Sequence, residues 1–582
     1  MRIMRGKTLF LLLPLLLIAM AATLNAAGPK SEPVGDPKAV RGGELVLHTS
    51  EFPKSFNYYV NNSSDAAAVF GLVYDTLMEL HPTTLEFLPL IAKSWEISAD
   101  KKVFTLKLDP RAKWADGKPI TAADVQFTYD TIMDPKNLTS VQRMSISRFN
   151  PPEVIDARTI RFTAKTVHYN NLVTLAGFNI LPKHLYIGKD FNKAFNMNLP
   201  GSSGPYVLSE VREGRYYVLK RRPDYWADKL PNHRGMYNFN TIKYKVMATT
   251  VAFEAFKKGD FDIFDEISAK SWVNENDGTP FQKNWIIKRK IYNYAPQGFA
   301  GLALNMRRPP FQDIRAREAI CRLLDRKYLL EKIMFNQYQP LSSYWPSLYG
   351  SSKSNELIEY DTAKAKQLLN QAGFNRLDGS GYLVNDKGQR MEFTLIYASE
   401  EFERHITYFA ETCKKAGVKV NLQLLSWATL IQKIEKYNFD AVNIGWSASL
   451  FPDPEQLWHS KHIDEPGGSN LPGFKNGKVD QLIDSLPPIF SAAERVRIIK
   501  QIDRIIYKDY PYALFWGANY SRIFYRNIFG MPKTIYSKYS SNDVITYWWY
   551  DKAKGKRYRD AVKNNKSLPK EAEEVYYDKL AK

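Results

Sequence analysis

The sequence predicts an α/β fold, because segments with the two-residue period of a strand alternate with segments that have the period of a helix. Phe104, Leu106 and Leu108 recur at every second position, as in a strand with one buried face. In residues 361–373, apolar side chains recur at the i, i+3, i+4 and i+7 spacing of a helix with one buried face. We therefore predict a layered arrangement of helices on strands.

The first 27 residues are typical of a secretory signal peptide. Three basic residues among the first seven precede an apolar run over residues 8–22, which is shorter than the roughly 20 residues of a bilayer span. Small residues follow, so we predict cleavage near Ala26 or Ala27 and a periplasmic mature protein. An uncleaved N-terminal anchor is the alternative. No cysteine lies near the predicted cleavage site, so no lipid anchor is expected.

The composition is basic and aromatic, with 81 Lys and Arg against 61 Asp and Glu, a net charge of +20, and 14% Phe, Trp and Tyr. The basic residues are spread along the chain and belong to no recognition module, so we predict no nucleic-acid partner. The many aromatic residues suit a cleft that holds its ligand by contact area. Cys321 and Cys413 fit either two buried free thiols or, after export, one disulfide.

The strand at residues 103–108 leads into a turn and a helix. Gly117 and Pro119 indicate the turn, because Gly accepts a positive φ and Pro fixes φ. Thr121 and Asp124 are typical of a helix N-terminus, where a hydroxyl caps free amides and a carboxylate faces the positive end of the helix dipole. The segment therefore predicts strand, turn and capped helix in that order.

The remaining elements are predicted from the same periodicities and from turn residues. In chain order they are a flexible lead-in at 28–40, a strand at 44–49, a hairpin at 205–220, a helix from Val251 ended by Gly259, a helix at 313–333, a strand at 439–446 and a charged C-terminal tail at 551–582. No internal repeat interrupts this order.

Five segments, in the same order along the chain, resemble the conserved segments of one known family. They are residues 92–130, 203–226, 301–329, 360–374 and 439–454. The chain resembles family 5 of the bacterial extracellular solute-binding proteins, the dipeptide and oligopeptide type of ABC importers, over about residues 44–550. Segments 224–244 and 295–315 resemble the subgroup that binds oligopeptides and the peptide–nucleotide antibiotic microcin C.

The resemblance implies a two-lobed periplasmic-binding-protein fold of the peptide-binding class, with an extra subdomain on lobe one. The implied boundaries are lobe one at 41–298 with the inserted subdomain at about 58–184, lobe two at 299–511, and a return to lobe one at 512–550. The implied hinge crossings lie near 298–305 and 510–517.

The implied function is capture of oligopeptides or peptide conjugates between two closing lobes and delivery to the transmembrane subunits of an ABC permease with cytoplasmic ATPases. The protein is expected to be a monomer without cofactors. The alternatives are the same fold with another solute, such as an oligosaccharide, an opine or a metal chelate, or a secreted hydrolase.

The ligand-binding candidates that follow from the resemblance are centred on Gly445-Trp446. In many family members an acidic residue just after this pair binds the free amino terminus of the peptide, but here the matching position is Ser449, which has no charge. The resemblance therefore argues against strict selection for a free amine. Asp453 could replace the acid if the loop bends back, or could be part of a turn. Trp446 is either a wall of the ligand site or a core residue, and Ser447 follows it.

Further candidates lie at the hinge and in two loops. Gly298 and Phe299 lie at the first crossing, where glycine permits backbone rotation or a tight bend. Asn57 and Tyr58 follow the first strand, where an α/β lobe presents its loops to a cleft. A loop bounded by prolines carries Tyr344 and Trp345. Each of these could contact ligand or pack in the core.

The sequence fits no catalytic or metal-binding motif. His459 and His462 lack the spacing of a zinc-binding helix. The segment Gly201-Ser-Ser-Gly204 is too short and wrongly placed for a phosphate-binding loop. The segment Gly445-x-Ser447-x-Ser449 lacks the second glycine of a nucleophile elbow. We predict a binding protein, not an enzyme, with no catalytic residues and no metal site.

Overall fold

The computed structural model describes residues 34–265, 267–350, 352 and 354–581. The predicted signal peptide, its cleavage site and the first part of the lead-in lie outside the described residues. Within the described ranges, no helix combines the length and the apolar character needed to cross a bilayer.

The strands are mostly short and are distributed over the whole described chain. In order they are β1 (Glu44–Thr49), β2 (Met78–Leu80), β3 (Phe87–Pro89), β4 (Ala92–Ile97), β5 (Val103–Leu108), β6 (Glu153–Asp156), β7 (Thr159–Thr163), β8 (Tyr206–Arg212), β9 (Tyr216–Arg221), β10 (Thr241–Val246), β11 (Ile263–Phe264), β12 (Ile286–Tyr292), β13 (Phe299–Leu304), β14 (Gln339–Pro340), β15 (Arg376–Leu377), β16 (Leu383–Val384), β17 (Glu392–Tyr397), β18 (Lys419–Leu424), β19 (Ala441–Trp446), β20 (Tyr512–Leu514), β21 (Trp516–Gly517), β22 (Ser521–Arg526), β23 (Phe529–Gly530), β24 (Trp549–Tyr550) and β25 (Glu574–Tyr576).

The helices alternate with these strands. In order they are α1 (Ser64–Val73), α2 (Ala122–Met133), α3 (Ser140–Ile146), α4 (Asn171–Ala176), α5 (Lys183–Tyr186), α6 (Thr249–Lys258), α7 (Ala269–Asn274), α8 (Thr279–Gln282), α9 (Ile314–Arg322), α10 (Arg326–Tyr328), α11 (Thr362–Gln371), α12 (Glu403–Lys415), α13 (Trp427–Glu435), α14 (Glu455–Trp458), α15 (Gly477–Asp484), α16 (Ala492–Tyr507), α17 (Val544–Tyr547), α18 (Lys552–Lys563) and α19 (Tyr577–Leu580).

Lobe one, as the name is used below, is the part of the chain built around three four-stranded sheets. Their strand orders are β1-β10-β9-β8, β4-β5-β7-β6 and β11-β22-β12-β25. The sheet β4-β5-β7-β6 and helices α2 to α5 form a compact unit within lobe one that we call the small subdomain. The apolar residues Phe104, Leu106 and Leu108 of β5 are buried in the main core of lobe one, as the alternation predicts.

The start of α2 confirms the predicted helix N-terminus. Thr121 precedes the helix in extended conformation. The carboxylate of Asp124 accepts hydrogen bonds from the backbone N–H of Thr121 at 2.8 Å and from the hydroxyl of Thr121 at 2.9 Å. This closes the first turn and leaves the apolar face of α2 on the sheet.

Lobe two is built around one mixed sheet with the order β18-β17-β19-β13-β20. Leu302 and Leu304 of β13 belong to the apolar core on one face of this sheet, and Ala303 between them belongs to the core on the other face. Helices α9, α11 and α12 supply the first core, and α15 and α16 supply the second. Coverage on both faces explains why β13 and β20 are continuously apolar.

The predicted helix at 313–333 is interrupted. Helix α9 ends at Arg322, and Asp325 then accepts a hydrogen bond from the backbone N–H of Tyr328 at 3.0 Å, which begins a new helical segment. The carboxylate therefore acts as a cap in the middle of an apolar pattern that is otherwise continuous. The strand at 44–49, the hairpin at 205–220 and the helix ended by Gly259 are confirmed.

The chain passes between the lobes twice, from β12 to β13 and from β21 to β22. Residues Tyr512–Leu514 still pair with β13 in the sheet of lobe two, so the return to lobe one begins later than residue 512. The reason is that β20 completes the edge of that sheet before the chain leaves it. Cys321 and Cys413 are both buried and unpaired, which leaves the free-thiol alternative.

The charged C-terminal segment is docked on lobe one. Strand β25 pairs in parallel with β12, joining Lys290 to Glu574 and Tyr292 to Tyr576 in register. The guanidinium of Arg289 also forms an ion pair with Glu571. The acidic residues of the tail therefore neutralise a basic strand that would otherwise be a sheet edge.

Candidate functional site

A cavity of about 530 Å³ lies between the small subdomain and lobe two. Its walls combine apolar, amide and hydroxyl side chains. They are Tyr58, Tyr59, Ile132, Val141, Gln142, Ser145, Ile146, Arg148, Asn170, Val173, Thr174, Gly177, Phe178 and Asn179 from lobe one, and Ser449, Phe451, Asp453 and Gln456 from lobe two. We call this space the interlobe cavity, and three of the predicted residues, Tyr58, Ser449 and Asp453, line it.

The lobe-one wall begins in the loop after β1. Tyr59 is almost fully buried and its hydroxyl donates to the carbonyl of Asn179 at 2.5 Å, which joins two parts of this wall. Burial raises the pKa of the Tyr59 hydroxyl well above its usual range, so it stays a neutral donor. Asn57 is fully buried, and its side chain accepts from the backbone of Tyr59 and donates to the carbonyl of Phe191. Asn57 therefore holds the loop that presents Tyr58.

The lobe-two wall follows the end of β19. Strand β13 pairs with β19 as far as Trp446, whereas β17 pairs with it only at Ala441 and Val442. In the described part of the chain, one edge of β19 is therefore open from Asn443 to Trp446. Gly445 lies in this open stretch and is exposed. Free N–H and C=O groups on a strand edge can pair with another extended backbone.

Trp446 connects this open edge to an aromatic cluster behind it. Its indole N–H donates to the hydroxyl of Tyr512 at 3.0 Å. The ring of Phe299 packs edge-on against Tyr344 with 5.0 Å between centroids and against Tyr512 with 5.3 Å. Phe299 and Tyr344 are buried, whereas Trp345 is half-buried beside them. These residues support the wall from behind.

Gly298 has a steric reason to be glycine. A Cβ atom at this position would lie 1.8 Å from the carbonyl oxygen of Trp446. The start of β13 therefore approaches the end of β19 more closely than any side chain allows. Ser447 is exposed just beyond, and the hydroxyl of Ser449 accepts from the backbone N–H of Phe451 at 3.1 Å, which turns the loop toward the cavity.

A charged cluster joins the two lobes at the rim of the cavity. Arg148 of the small subdomain lies 3.4 Å from the carboxylate of Asp453, and the Nε2 atom of His168 lies 3.6 Å from the same oxygen. His168 Nδ1 accepts from the backbone N–H of Asn170 at 3.0 Å, so the neutral ring carries its proton on Nε2, facing Asp453. Burial, reinforced by Arg148, lowers the pKa of His168 to about 4.

His168, Asp453 and Glu455 bring three possible metal ligands within 4.8 Å of one another. The tautomer of His168 places a proton on the nitrogen that would bind the metal, and Arg148 already supplies a positive charge to Asp453. Glu455 forms an ion pair with Lys461 at 2.5 Å. The donor set is therefore better explained as an ion-pair network than as a cation site.

Tyr169 of lobe one inserts into the apolar core of lobe two. Its hydroxyl donates to the carbonyl of Pro452 at 2.7 Å, and its backbone N–H donates to the carbonyl of Pro487 at 2.9 Å. The guanidinium of Arg495 lies over its ring at 4.2 Å. This contact and the charged cluster join lobe one to lobe two. Sequence reasoning missed Arg148, His168 and Tyr169, because no local motif marks a residue that acts across two lobes.

A second cavity, of about 400 Å³, lies within lobe one. Glu79 and Asn232 line it, and His233 lies behind them, 2.8 Å from Glu79. No described residue of lobe two contributes to its walls.

Curated relatives of similar length match nearly the whole chain. A binding protein of Brucella abortus strain 2308 is 29% identical over 574 residues, covering 89% of this chain and 91% of its own. The uncharacterized protein YejA of Escherichia coli K12 is 27% identical over 573 residues, covering 91% of this chain and 92% of its own. The oligopeptide-binding protein AppA of Bacillus subtilis is 26% identical over 575 residues, covering 94% of this chain and 100% of its own.

Solved structures share the fold. AppA of B. subtilis in complex with a nonapeptide matches with a TM-score of 0.75 and 24% identity, over 88% of this chain and all of that one. NikZ of Campylobacter jejuni in complex with Ni(L-His) matches with a TM-score of 0.69 and 21% identity, over 84% of this chain and 94% of that one. AgaA of A. tumefaciens R10 in complex with agropinic acid matches with a TM-score of 0.69 and 22% identity, over 88% of this chain and 99% of that one.

A family model gives the assignment directly. The model described as bacterial extracellular solute-binding proteins, family 5, matches residues 86–466, which is more than half of the chain. All five segments on which the resemblance was based lie within that range. Two sheet-based lobes, an interlobe cavity and the matching folds agree with this result. The chain belongs to family 5 of the bacterial extracellular solute-binding proteins.

Proposed function

We propose that this protein captures oligopeptides or peptide conjugates between its lobes in the periplasm and delivers them, as a monomer, to the transmembrane subunits of an ABC permease. The observation that carries the proposal is the open edge of β19, which is followed by a loop that lines a cavity formed by both lobes. An oligopeptide-binding relative and a fold shared with a nonapeptide complex support the same ligand class.

The open edge is suited to a peptide backbone. An extended peptide can add its own N–H and C=O groups to those of Asn443 to Trp446, as an additional strand. At Gly445 a Cβ would come no closer than 3.4 Å to its neighbours, so packing within the protein does not require glycine there. Its absence of a side chain leaves room for the close approach of a ligand backbone.

The cavity walls are suited to varied side chains. Most of its lining is apolar or carries neutral amide and hydroxyl groups, which can bind different side chains directly or through water. Such walls contribute contact area without fixing one side chain. The affinity for a peptide would then come mainly from hydrogen bonds to its backbone and from closure of the lobes around it.

Closure follows from the distribution of the walls over both lobes. A ligand shifts a conformational equilibrium only by contacts that it makes better in one state. A peptide on β19 reaches the lobe-one residues Tyr58 and Gln142 only when the lobes are close together. We therefore propose that peptide binding stabilises a closed form, which the permease recognises.

Peptide conjugates are included because of segments 224–244 and 295–315, which resemble the microcin C subgroup. A second candidate is a non-peptide solute bound in the same cleft. The structures with Ni(L-His) and with agropinic acid, both at a TM-score of 0.69, favour keeping that candidate.

The experiment is native mass spectrometry of protein purified from the periplasm, followed by calorimetry with a tetrapeptide library. We expect co-purified peptides and a thermal stabilisation that grows with peptide concentration. Recovery of an opine or metal chelate, with no response to peptides, would favour the second candidate. Peptides that come back shortened after long incubation would indicate a hydrolase instead.

A further inference from the structure

The second cavity, within lobe one, is bounded by several separate segments of the chain. Its walls include the hairpin of β2 and β3, the end of α4, the segment at 232–237 and helix α17. Its volume of about 400 Å³ is in the range of pockets that bind small organic molecules. Val173 and Gly177 also line the interlobe cavity, but the other described residues of the two walls differ. The second cavity can therefore hold a ligand of its own.

The charged side chains on its walls are acidic. Glu79 and Asp543 are the two among the described residues that line it, and no described lysine or arginine joins them. His233, behind the wall, lies 2.8 Å from Glu79 and can offset one of these charges. Asp543 is buried and accepts from the backbone N–H of Ser537 at 2.5 Å, but it forms no ion pair within the described ranges. Burial therefore raises the pKa of its carboxyl, because no cation compensates for the lost water.

Two tyrosine hydroxyls on the same walls have no hydrogen-bond partner in the described parts of the chain. Tyr547 is only 8% exposed and lines the cavity. Burial and the negative charges of Asp543 and Glu79 raise the pKa of its hydroxyl well above the usual range, so this hydroxyl lies within electrostatic reach of both carboxylates. Burial, Glu79 and Tyr547 raise the pKa of Tyr237 in the same way. A buried hydroxyl normally has a partner, so these two indicate a group that the protein itself does not supply.

The remaining walls favour an organic cation over a bare metal ion. Met78, Phe87 and Met236 give the cavity an apolar surface, which offers a metal ion no ligand. Among the described residues, the cluster of three possible metal ligands is the one at His168, and neither acidic residue of this cavity belongs to it. An ammonium ion with an alkyl group uses both kinds of wall. Its three N–H donors pair with carboxylate and hydroxyl oxygens, and its methylene groups lie on the apolar side chains.

We propose that the second cavity binds a small organic ammonium ion, of the class of primary alkylamines. The ammonium group lies between Glu79, Asp543 and the hydroxyl of Tyr547. The alkyl group lies against Met78 and Met236. This site is independent of the peptide proposed for the interlobe cavity, so a protein that bound no peptide would still bind the amine.

Calorimetry and methyl NMR of the whole protein test the site with n-pentylammonium and two comparison probes. The probe 1-pentanol has the same alkyl chain without the charge, and tetramethylammonium has the charge without N–H donors. We expect pentylammonium to bind at least tenfold more tightly than either probe and to shift the ε-methyl signals of Met78 and Met236. Absence of binding, equal affinity for either comparison probe, or binding that leaves both methyl signals in place overturns the proposal.

Two variants test the residue assignment. Tyr547→Phe removes only the unpaired hydroxyl, and Asp543→Asn keeps the shape of the side chain but removes its charge. Each should weaken pentylammonium binding at least fivefold, and Tyr547→Phe alone decides the test if Asp543→Asn does not fold. The matched control is Tyr217→Phe, which also removes a buried hydroxyl without a partner, from a part of lobe one that does not line this cavity. Unchanged affinity in the folded test variants, or an equal loss in the control, overturns the assignment.

Discussion

Two glycines on either side of one strand pair serve different purposes. At Gly298 a Cβ would lie 1.8 Å from the carbonyl oxygen of Trp446, whereas at Gly445 it would lie 3.4 Å from its nearest neighbour. We expect Gly298→Ala to lower the free energy of unfolding by about 2 kcal/mol, because the strands must separate to accommodate the methyl group. Chemical denaturation followed by tryptophan fluorescence measures this change.

Gly445→Ala is the companion variant, with the opposite expectation. Its free energy of unfolding should stay within about 0.5 kcal/mol of the parent, because the added methyl group makes ordinary contacts. Peptide affinity should fall about tenfold, because the methyl group would lie where we propose that the ligand backbone pairs. Calorimetry gives the affinity, and unchanged binding in a stable Gly445→Ala protein would place the ligand elsewhere.

His405 should make stability depend on acid pH. It is buried against Phe402 and Trp516, and burial lowers its pKa from 6.5 to about 4. Between these two pH values the unfolded imidazole binds a proton that the folded one does not, so the free energy of unfolding falls as the pH falls from 6.5 toward 4. The contribution is on the order of 2 kcal/mol for a group this deeply buried.

The measurement compares pH series of denaturation for the parent and for His405→Gln. The variant should lose part of the slope between pH 6.5 and 4, whatever its absolute stability. His168, whose pKa is also lowered to about 4, contributes in the same direction. For that reason His168→Gln serves as a second comparison, and two variants with the full parental slope would refute the assignment.

At the scale of elements, local sequence patterns predicted the strands and helices whose conformation depends on residues close by in the sequence. Strand β5 and the capped start of α2 follow from alternation and turn chemistry within 103–124. Strand β25 could not be predicted, because its residues Glu574–Tyr576 lie in a charged segment with little apolar alternation. Its conformation depends on a basic strand nearly 300 residues earlier, and sequence periodicity carries no information about such a partner.

The docked tail should protect the strand that it covers. Ending the chain after Leu568 removes β25 and the partner of Arg289, Glu571, so β12 becomes a sheet edge. We expect faster hydrogen exchange at Lys290 and Tyr292 and a lower melting temperature. Ending the chain after Tyr577 keeps β25 and is the control. Equal exchange in both truncated proteins would show that the pairing contributes nothing to stability.

At the scale of the whole molecule, the site was only partly predictable. Tyr58, Ser449 and Asp453 were placed on the cavity by the resemblance and by the rule that loops follow strands, and the structure brings them together. Phe299, a candidate at the first hinge crossing, and Tyr344, a candidate in a proline-bounded loop, are buried instead. Sequence places residues near a cleft, whereas the side that each one faces depends on packing between lobes.

Tyr169 should influence how the two lobes are distributed between open and closed arrangements. Tyr169→Phe loses the hydrogen bond to Pro452, worth about 1 kcal/mol, and Tyr169→Ala also loses the buried ring, worth about 3 kcal/mol more. The ligand-free alanine variant should therefore have a larger radius of gyration in small-angle X-ray scattering, with the phenylalanine variant between it and the parent. Three identical scattering curves would show that this contact does not hold the lobes.

The two buried cysteines have a practical consequence. Burial raises the pKa of Cys321 to about 12 and that of Cys413 well above its usual range, so neither forms a thiolate at neutral pH. Maleimide dyes should leave both untouched in the native protein. A pair of new surface cysteines, one on each lobe, could then carry two fluorophores without removing the natural thiols, which would convert the protein into an optical reporter for its own ligand.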